Sequence, residues 1–287
     1  MHVGDRAEVV GPGDDALAGV PAAVIGVAHR WDDERFARFP ALQVLSRMGI
    51  GYDNVDLDAA RAAGVTVCNA PDAPTVSTAE HAMALLLAAT KGLRRVSRSA
   101  DRGVTGVPAP SALELDGATL GLVGLGRIGV RVAVAARALG MNVIAADPAM
   151  ADSPVEGVDL VSLDEIWARS DVVSLHAPAV AETHHLVNAD TIEAMKDGVF
   201  LVNCARGGLV DQGALVAALD SGKVAGAGLD VTEPEPLPVG HPLLGREDVV
   251  VTPHIASSTR AGRLRLFAHA FDHALAALAG EPRHVVS

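Results

Sequence analysis

The chain is poor in cysteine, in aromatic residues, in basic charge and in long apolar runs, and each shortage removes a class of protein. Its two cysteines, Cys68 and Cys204, lack the paired spacing of a zinc site and cannot build a dense disulfide framework. No metal is expected, and a reducing, cytoplasmic setting is the simplest one. Aromatics make up 3% of the residues, which leaves few platforms for stacking bases. The 35 acidic residues against 23 basic ones give a formal charge of -12, so no nucleic-acid partner is expected, because that surface needs concentrated Lys and Arg. The richest apolar run, HAMALLLAAT, is too short to span a bilayer, and the opening MHVGDRAEVVGPGDD holds no apolar signal core. Neither membrane insertion nor export is expected.

What is present is a chain of 287 residues, 49% hydrophobic and rich in Ala, Val, Leu and Gly, enough for two cores of ordinary domain size. Short β-branched runs recur: AAVIGVA, LQVLS, VTVC, TLGLVG, NVIAAD, VVSLH, VFLVN, VAGAGLD and VVVTP. Amphipathic stretches such as RIGVRVAVAARALG and DQGALVAALDSGK lie between them, and this alternation predicts βαβ units and a parallel sheet, an α/β protein. One long helix is expected over residues 75–98, its basic end complementing the C-terminal dipole, and a last helix over 259–280. Residues 101–120, rich in Gly and Pro, read as an extended connection. The prolines of TEPEPLPVGHPLL predict a loop that is exposed or lines a site.

The sharpest local signal is GLVGLGRIGV, in which Gly124, Gly126 and Gly129 form GxGxxG between a predicted strand and a predicted helix. Gly124 permits the tight turn, Gly126 lets backbone approach a pyrophosphate, and Gly129 allows helix and strand to pack closely. Asp147 ends the next strand, 147 − 129 = 18 residues after the last glycine, where a carboxylate accepts ribose hydroxyls and repels a 2′-phosphate. The expected cofactor is NAD. Arg127 would lie over the pyrophosphate, unless it is only a solvated charge at the helix start, and Ile128 would offer the pyrophosphate a backbone N–H.

Further on lie NCARGGLVD, LDVTEPEP and TPHIASST, preceded by RMGIGYDNVD, NAPDAPTVSTAEHAMALLL and VSLHAPAVAETHHLVN. In this order, from about residue 47 onward, the motifs resemble the D-2-hydroxyacid dehydrogenase family. The resemblance implies a doubly wound, parallel-sheet NAD-binding Rossmann domain over residues 70–257. It also implies a smaller, discontinuous flavodoxin-like substrate domain from 1–69 and 258–287, with the chemistry between the two. It implies hydride transfer between NAD(H) and a small 2-hydroxy or 2-oxo acid. Arg206 would bind the substrate carboxylate and the reacting oxygen, His254 would be the acid/base, and Glu235 would hold that His. The residue types suit the task independently: a carboxylate favours the protonated His that a carbonyl oxygen needs, and a planar guanidinium grips a carboxylate bidentately.

Glu233, two residues from Glu235, is an alternative partner for the His. The resemblance further places Asp230 at the nicotinamide carboxamide, and His176, Ala177, Cys204, Ala205 and Ser257 along the cofactor; Asp230 could equally cap a turn before the proline loop, and His176 be an ordinary strand-end histidine. Met48, Gly49 and Ile50 would offer backbone N–H groups to the substrate carboxylate, or would form a plain turn with Asp53 or Asp56 as helix cap. A homodimer is expected, with the helix beginning at residue 75 as its surface.

The chain departs from the family pattern in three places. A first strand and helix of the substrate domain are missing or curtailed before AAVIGVAHR, through a reduced domain or an upstream start. Gly26 and Val27 stand where phosphoglycerate enzymes carry an Arg-Ser pair, so a phosphate anchor is not expected. Nor is a C-terminal regulatory domain. A different class of function, an NAD-sensing corepressor-like or non-catalytic binding protein on the same fold, is weighed against by Arg206, Glu235 and His254 together.

Overall fold

In a computed structural model, residues 14–106 and 112–287 are described. The polar opening segment and the middle of the Gly/Pro-rich connection fall outside them. The chain divides into two compact units, residues 1–75 with 258–287, and residues 76–257.

The smaller unit holds β1 (Ala22–Ile25), β2 (Val44–Arg47) and β3 (Thr66–Cys68), all parallel and in that order. The expected flavodoxin-like sheet is thus three-stranded among the described residues. Its core gathers Trp31, Phe36, Phe39, Leu42, Leu45 and Val67 beneath the short helices α1 (Asp14–Leu17), α2 (Asp33–Ala37) and α3 (Leu57–Ala62). Asp56 is the α3 cap, its carboxylate accepting the N–H groups of Asp58 and Ala59. Beyond the last helix the chain turns back, and Val285 pairs antiparallel with Cys68 while Val286 donates to the Val67 carbonyl. That return strand has no apolar run of its own to announce it.

The larger unit is a seven-stranded, wholly parallel sheet in the order β10-β9-β8-β7-β4-β5-β6. Its strands are β4 (Thr119–Val123), β5 (Asn142–Ala146), β6 (Val158–Leu160), β7 (Val172–Leu175), β8 (Val199–Asn203), β9 (Val224–Leu229) and β10 (Val249–Val251). Every strand foreseen from an apolar run is there; β6, only three residues with a central Asp159, is the one the pattern hides. The sheet is sandwiched between two apolar layers, one around Leu86, Leu120, Leu122, Val132 and Val202, the other around Ile166, Leu175, Leu201, Leu215 and Leu229. Two-sided burial explains why its strands read as continuous rather than alternating apolar runs. No described helix is long and apolar enough to cross a membrane.

The long helix expected over 75–98 is broken into α4 (Thr75–Thr90) and α5 (Leu93–Asp101). Gly92 between them takes φ 60°, a left-handed conformation that ends one helix and starts the next. Within the larger unit, α4 sends Ala82, Leu85, Leu86 and Ala89 into the core. The sheet's remaining helices are α6 (Arg127–Ala138), α7 (Leu163–Arg169), α8 (Ala189–Glu193) and α9 (Gln212–Ser221). The predicted last helix is α10 (Arg260–Leu278), capped by Thr259, and it belongs to the smaller unit. Residues 232–244 form the predicted proline loop.

Candidate active site

The strand order reverses between β4 and β7, so the chain leaves the sheet in opposite directions there and opens a crevice at their carboxyl ends. The glycine loop lies at that point. Gly124 has φ 95°, and a Cβ on it would fall 2.8 Å from the His176 carbonyl at the end of β7. A Cβ on Gly129 would meet the Gly124 carbonyl at 2.4 Å, so α6 can seat against the loop only if that residue is glycine. Gly126 differs, because a Cβ there meets nothing. It is the N-cap of α6 with no side chain bonding the helix's first N–H groups. Open space in front of uncapped donors at a helix N-terminus fits a dinucleotide pyrophosphate. Arg127 and Ile128 open that helix, Arg127 exposed and Ile128 half-buried.

Asp147 follows β5 and ties the loop down: one carboxylate oxygen accepts the Leu125 N–H at 2.9 Å, the other the Ala149 N–H at 3.0 Å. An ionised carboxylate has lone pairs to spare for ribose hydroxyls after both bonds. His176 and Ala177 leave β7 beside Gly124. The His176 Nε2 lies 3.0 Å from the Ser174 hydroxyl, and burial pushes its imidazole down to about 4, so it is neutral near neutrality.

The ends of β8, β9 and β10 supply the second group. Past β8, Asn203 holds the turn from within: its side-chain NH2 donates to the Arg206 carbonyl at 2.8 Å and its oxygen accepts the Ala205 N–H at 3.0 Å. Arg206 itself donates to the Ala205 carbonyl at 2.7 Å. Burial, and then the charge of Asp230, push the Cys204 thiol up, so it stays protonated and serves as packing.

Past β10, His254 sits at φ 50°, uncommon for a side-chain-bearing residue. Its Nδ1 lies 2.7 Å from Oε1 of Glu235. The contact engages Nδ1 and not Nε2, and Glu233 is not the partner. Asp230, at the end of β9 and almost wholly buried, explains how the strained turn persists. Its carboxylate accepts the Ile255 and Ala256 N–H groups, both at 2.9 Å, and the Thr252 hydroxyl at 2.6 Å, while its carbonyl accepts the His254 N–H at 2.8 Å. His81 of α4 closes the network, 2.9 Å from the Thr252 hydroxyl and 3.4 Å from Asp230. Asp230 thus holds the segment that carries His254, the turn-capping role open to it in the sequence. Ser257, half-buried, ends that segment.

Asn203, His81 and Thr252 were not foreseen as site residues. A polar residue closing the apolar run of β8, and a histidine inside an apolar helix, are the signals that could have found two of them.

In the smaller unit, the Met48 N–H expected to face a substrate donates to the Ile25 carbonyl at 2.9 Å, because the parallel ladder runs one residue past β2. Gly49, at φ 128°, and Ile50 turn their carbonyls to residues of the same unit, Ala70 N–H at 2.9 Å and the Asn69 side chain at 2.8 Å. Among the described residues, neither their N–H groups donate to a backbone carbonyl.

Residues 83–256 match the family described as D-isomer specific 2-hydroxyacid dehydrogenase, NAD binding domain. A D-3-phosphoglycerate dehydrogenase of Archaeoglobus fulgidus is 44% identical over 247 residues, 85% of this chain and 47% of that one. A hydroxypyruvate reductase of Thermotoga maritima is 45% identical over 229 residues, 78% of this chain and 74% of that one. The chain spans about half the length of the phosphoglycerate dehydrogenases it matches. Among solved structures, the TT0316 protein of Thermus thermophilus superposes with a TM-score of 0.88 at 42% identity, over 96% of this chain and 88% of that one. A D-lactate dehydrogenase of Aquifex aeolicus, solved with NAD and lactic acid, gives 0.84 at 33%, over 94% and 86%.

Proposed function

The chain belongs to the D-isomer specific 2-hydroxyacid dehydrogenase family, and from that premise we propose that it interconverts a small 2-oxo acid and its 2-hydroxy acid with NAD(H). The observation that carries this reading is the 2.7 Å contact between His254 Nδ1 and Glu235 on a turn that Asp230 anchors. NAD, when bound, supplies or accepts the hydride. His254 delivers the proton from Nε2 to the carbonyl oxygen and takes it back in the reverse direction. Glu235 fixes the ring and stabilises the imidazolium. Arg206 binds the carboxylate and the oxygen on which negative charge develops, a task its planar fork performs better than an ammonium. The N–H groups of Gly49 and Ile50 receive the carboxylate as well, with Met48 supporting them through the sheet. Gly124, Gly126, Arg127, Ile128, Gly129 and Asp147 bind the cofactor, and His176, Ala177, Cys204, Ala205 and Ser257 line it.

Formate is not the proposed substrate, since its oxidation gives the Glu235–His254 pair no proton to move. A phosphorylated acid is not favoured either, as Gly26 and Val27 lack the charge to anchor it. The protein is further proposed to act in the cytoplasm as a homodimer.

The test is loss of NADH absorbance with hydroxypyruvate, glyoxylate, pyruvate and bulkier 2-oxo acids, using His254→Ala as control. Turnover that disappears in the variant supports the proposal and ranks the substrates. Tight NADH binding without turnover on any of them would overturn it in favour of a sensing or binding role.

A further inference from the structure

Glu233, which the His254 pair leaves unused, faces two histidines instead. Nε2 of His184 lies 3.8 Å and Nε2 of His185 3.7 Å from Oε2 of Glu233, and one ligand atom from each residue lies within 4.8 Å of the other two. The two rings are stacked, with centroids 3.9 Å apart. We propose that His184, His185 and Glu233 form a binding site for a borderline-soft divalent cation of the zinc type.

Donor chemistry selects the ion. Two neutral imidazoles and one carboxylate are the ligands that zinc accepts in open, three-residue sites, whereas magnesium and calcium take oxygen ligands. Tetrahedral zinc with bonds near 2.1 Å holds its ligand atoms about 3.4 Å apart. Each His–Glu separation is therefore within roughly half an ångström of what coordination requires, a closure that side-chain rotation supplies.

The backbone beneath the three ligands is fixed on both sides. His185 takes φ 50°, held by its N–H on the Gly208 carbonyl at 2.8 Å and its carbonyl on the Asn188 side chain at 3.0 Å. Val187 N–H then pairs with the Leu209 carbonyl at 2.9 Å. The Glu233 carbonyl accepts the Gln212 side-chain amide. Gly207 and Gly208 draw the two segments together: a Cβ on Gly207 would fall 2.1 Å from the Thr232 carbonyl, and one on Gly208 would fall 3.3 Å from Glu233 Oε2 and 3.6 Å from the His184 ring. The glycines that follow Arg206 thus let the turn after β7 and the proline loop meet on one platform. All three ligand side chains are substantially exposed, so a cation reaches them from solvent and keeps water in its fourth position.

The cysteines do not compete, since both are buried and burial raises both thiols. The site is independent of the proposed dehydrogenase chemistry, although Glu233 shares its loop with Glu235.

Isothermal titration of the whole chain with Zn2+, in the absence of NADH and substrate, tests it. The expected result is one Zn2+ per chain, undisturbed by excess Mg2+ and weakened on acidification, since protons compete with a metal for its ligands. Affinity should fall about tenfold or more in each of His184→Ala, His185→Asn and Glu233→Gln, and should be unchanged in His269→Ala, a histidine elsewhere. Asn is chosen at 185 because it tolerates the left-handed backbone. Circular dichroism verifies that each variant is folded. No Zn2+ binding by the parent chain, or binding that Mg2+ abolishes or that survives all three substitutions, overturns the proposal.

Discussion

At the scale of single residues, three glycines of one motif do three different jobs, and the differences predict different phenotypes. Gly129→Ala places a Cβ 2.4 Å from the Gly124 carbonyl, so it should lower the unfolding free energy as well as cofactor binding. Gly126→Ala has room and an ordinary backbone, and it should melt with the parent protein. Its NADH affinity should nevertheless fall by about tenfold or more, roughly 1.4 kcal/mol of lost pyrophosphate contact. Equal losses of stability in the two variants would contradict this division. His176 makes a prediction about acid. Its folded-state value of about 4 lies below the ordinary value of 6.5, so the unfolded chain binds the proton more readily. The contribution is complete above pH 6.5, declines as pH falls, and is exhausted below about 4, to a total of about 3 kcal/mol. Urea titrations from pH 7 to pH 4 should show His176→Asn losing less stability than the parent by up to that amount.

At the scale of elements, the segment after β10 is shaped by the end of β9. Asp230, itself almost wholly buried, satisfies two N–H groups and a hydroxyl around His254. Asp230→Ala strands those donors and should cost about 3 kcal/mol, judged by the penalty for unsatisfied buried groups. Because His254 would lose its fixed position, kcat should fall with it, and NADH affinity should fall less. An unchanged kcat would sever Asp230 from His254. Thr252→Val removes one of the three donors and should show the same pattern, more weakly.

For the whole molecule, cofactor binding should register as stability. NADH at a hundredfold excess over its Kd adds about 2.7 kcal/mol to unfolding if it binds only the folded chain. The accompanying rise in Tm measures this directly. NADPH should give a smaller rise because Asp147 meets its 2′-phosphate, and Asp147→Ser should narrow the gap between them. Identical rises in the parent chain would remove Asp147 as the selecting group. Sedimentation across a range of concentrations tests the proposed homodimer.

The sequence by itself determined the α/β class, the nine strands with apolar runs, the glycine loop and the His254 and Glu235 residue types. These are properties of local periodicity and of ordered motifs, which survive without knowledge of what packs on what. It also marked Gly280 and Thr259 as the ends of the last helix, since caps are local. Tertiary structure decided the rest. The family resemblance put Glu235 ahead of Glu233 as the partner of His254, but the contact itself depends on where the proline loop points, which only the fold decides. In sequence Asp230 was open both to a cofactor contact and to capping a turn; the meeting of β9 and β10 sets its carboxylate on the Ile255 and Ala256 N–H groups, and His81 is brought to it from a helix 149 residues away (230 − 81 = 149). Long-range convergence of this kind leaves no periodic trace in the chain, which is why the meeting of His81 with Asp230 and the His184–His185–Glu233 cluster came to light only in three dimensions.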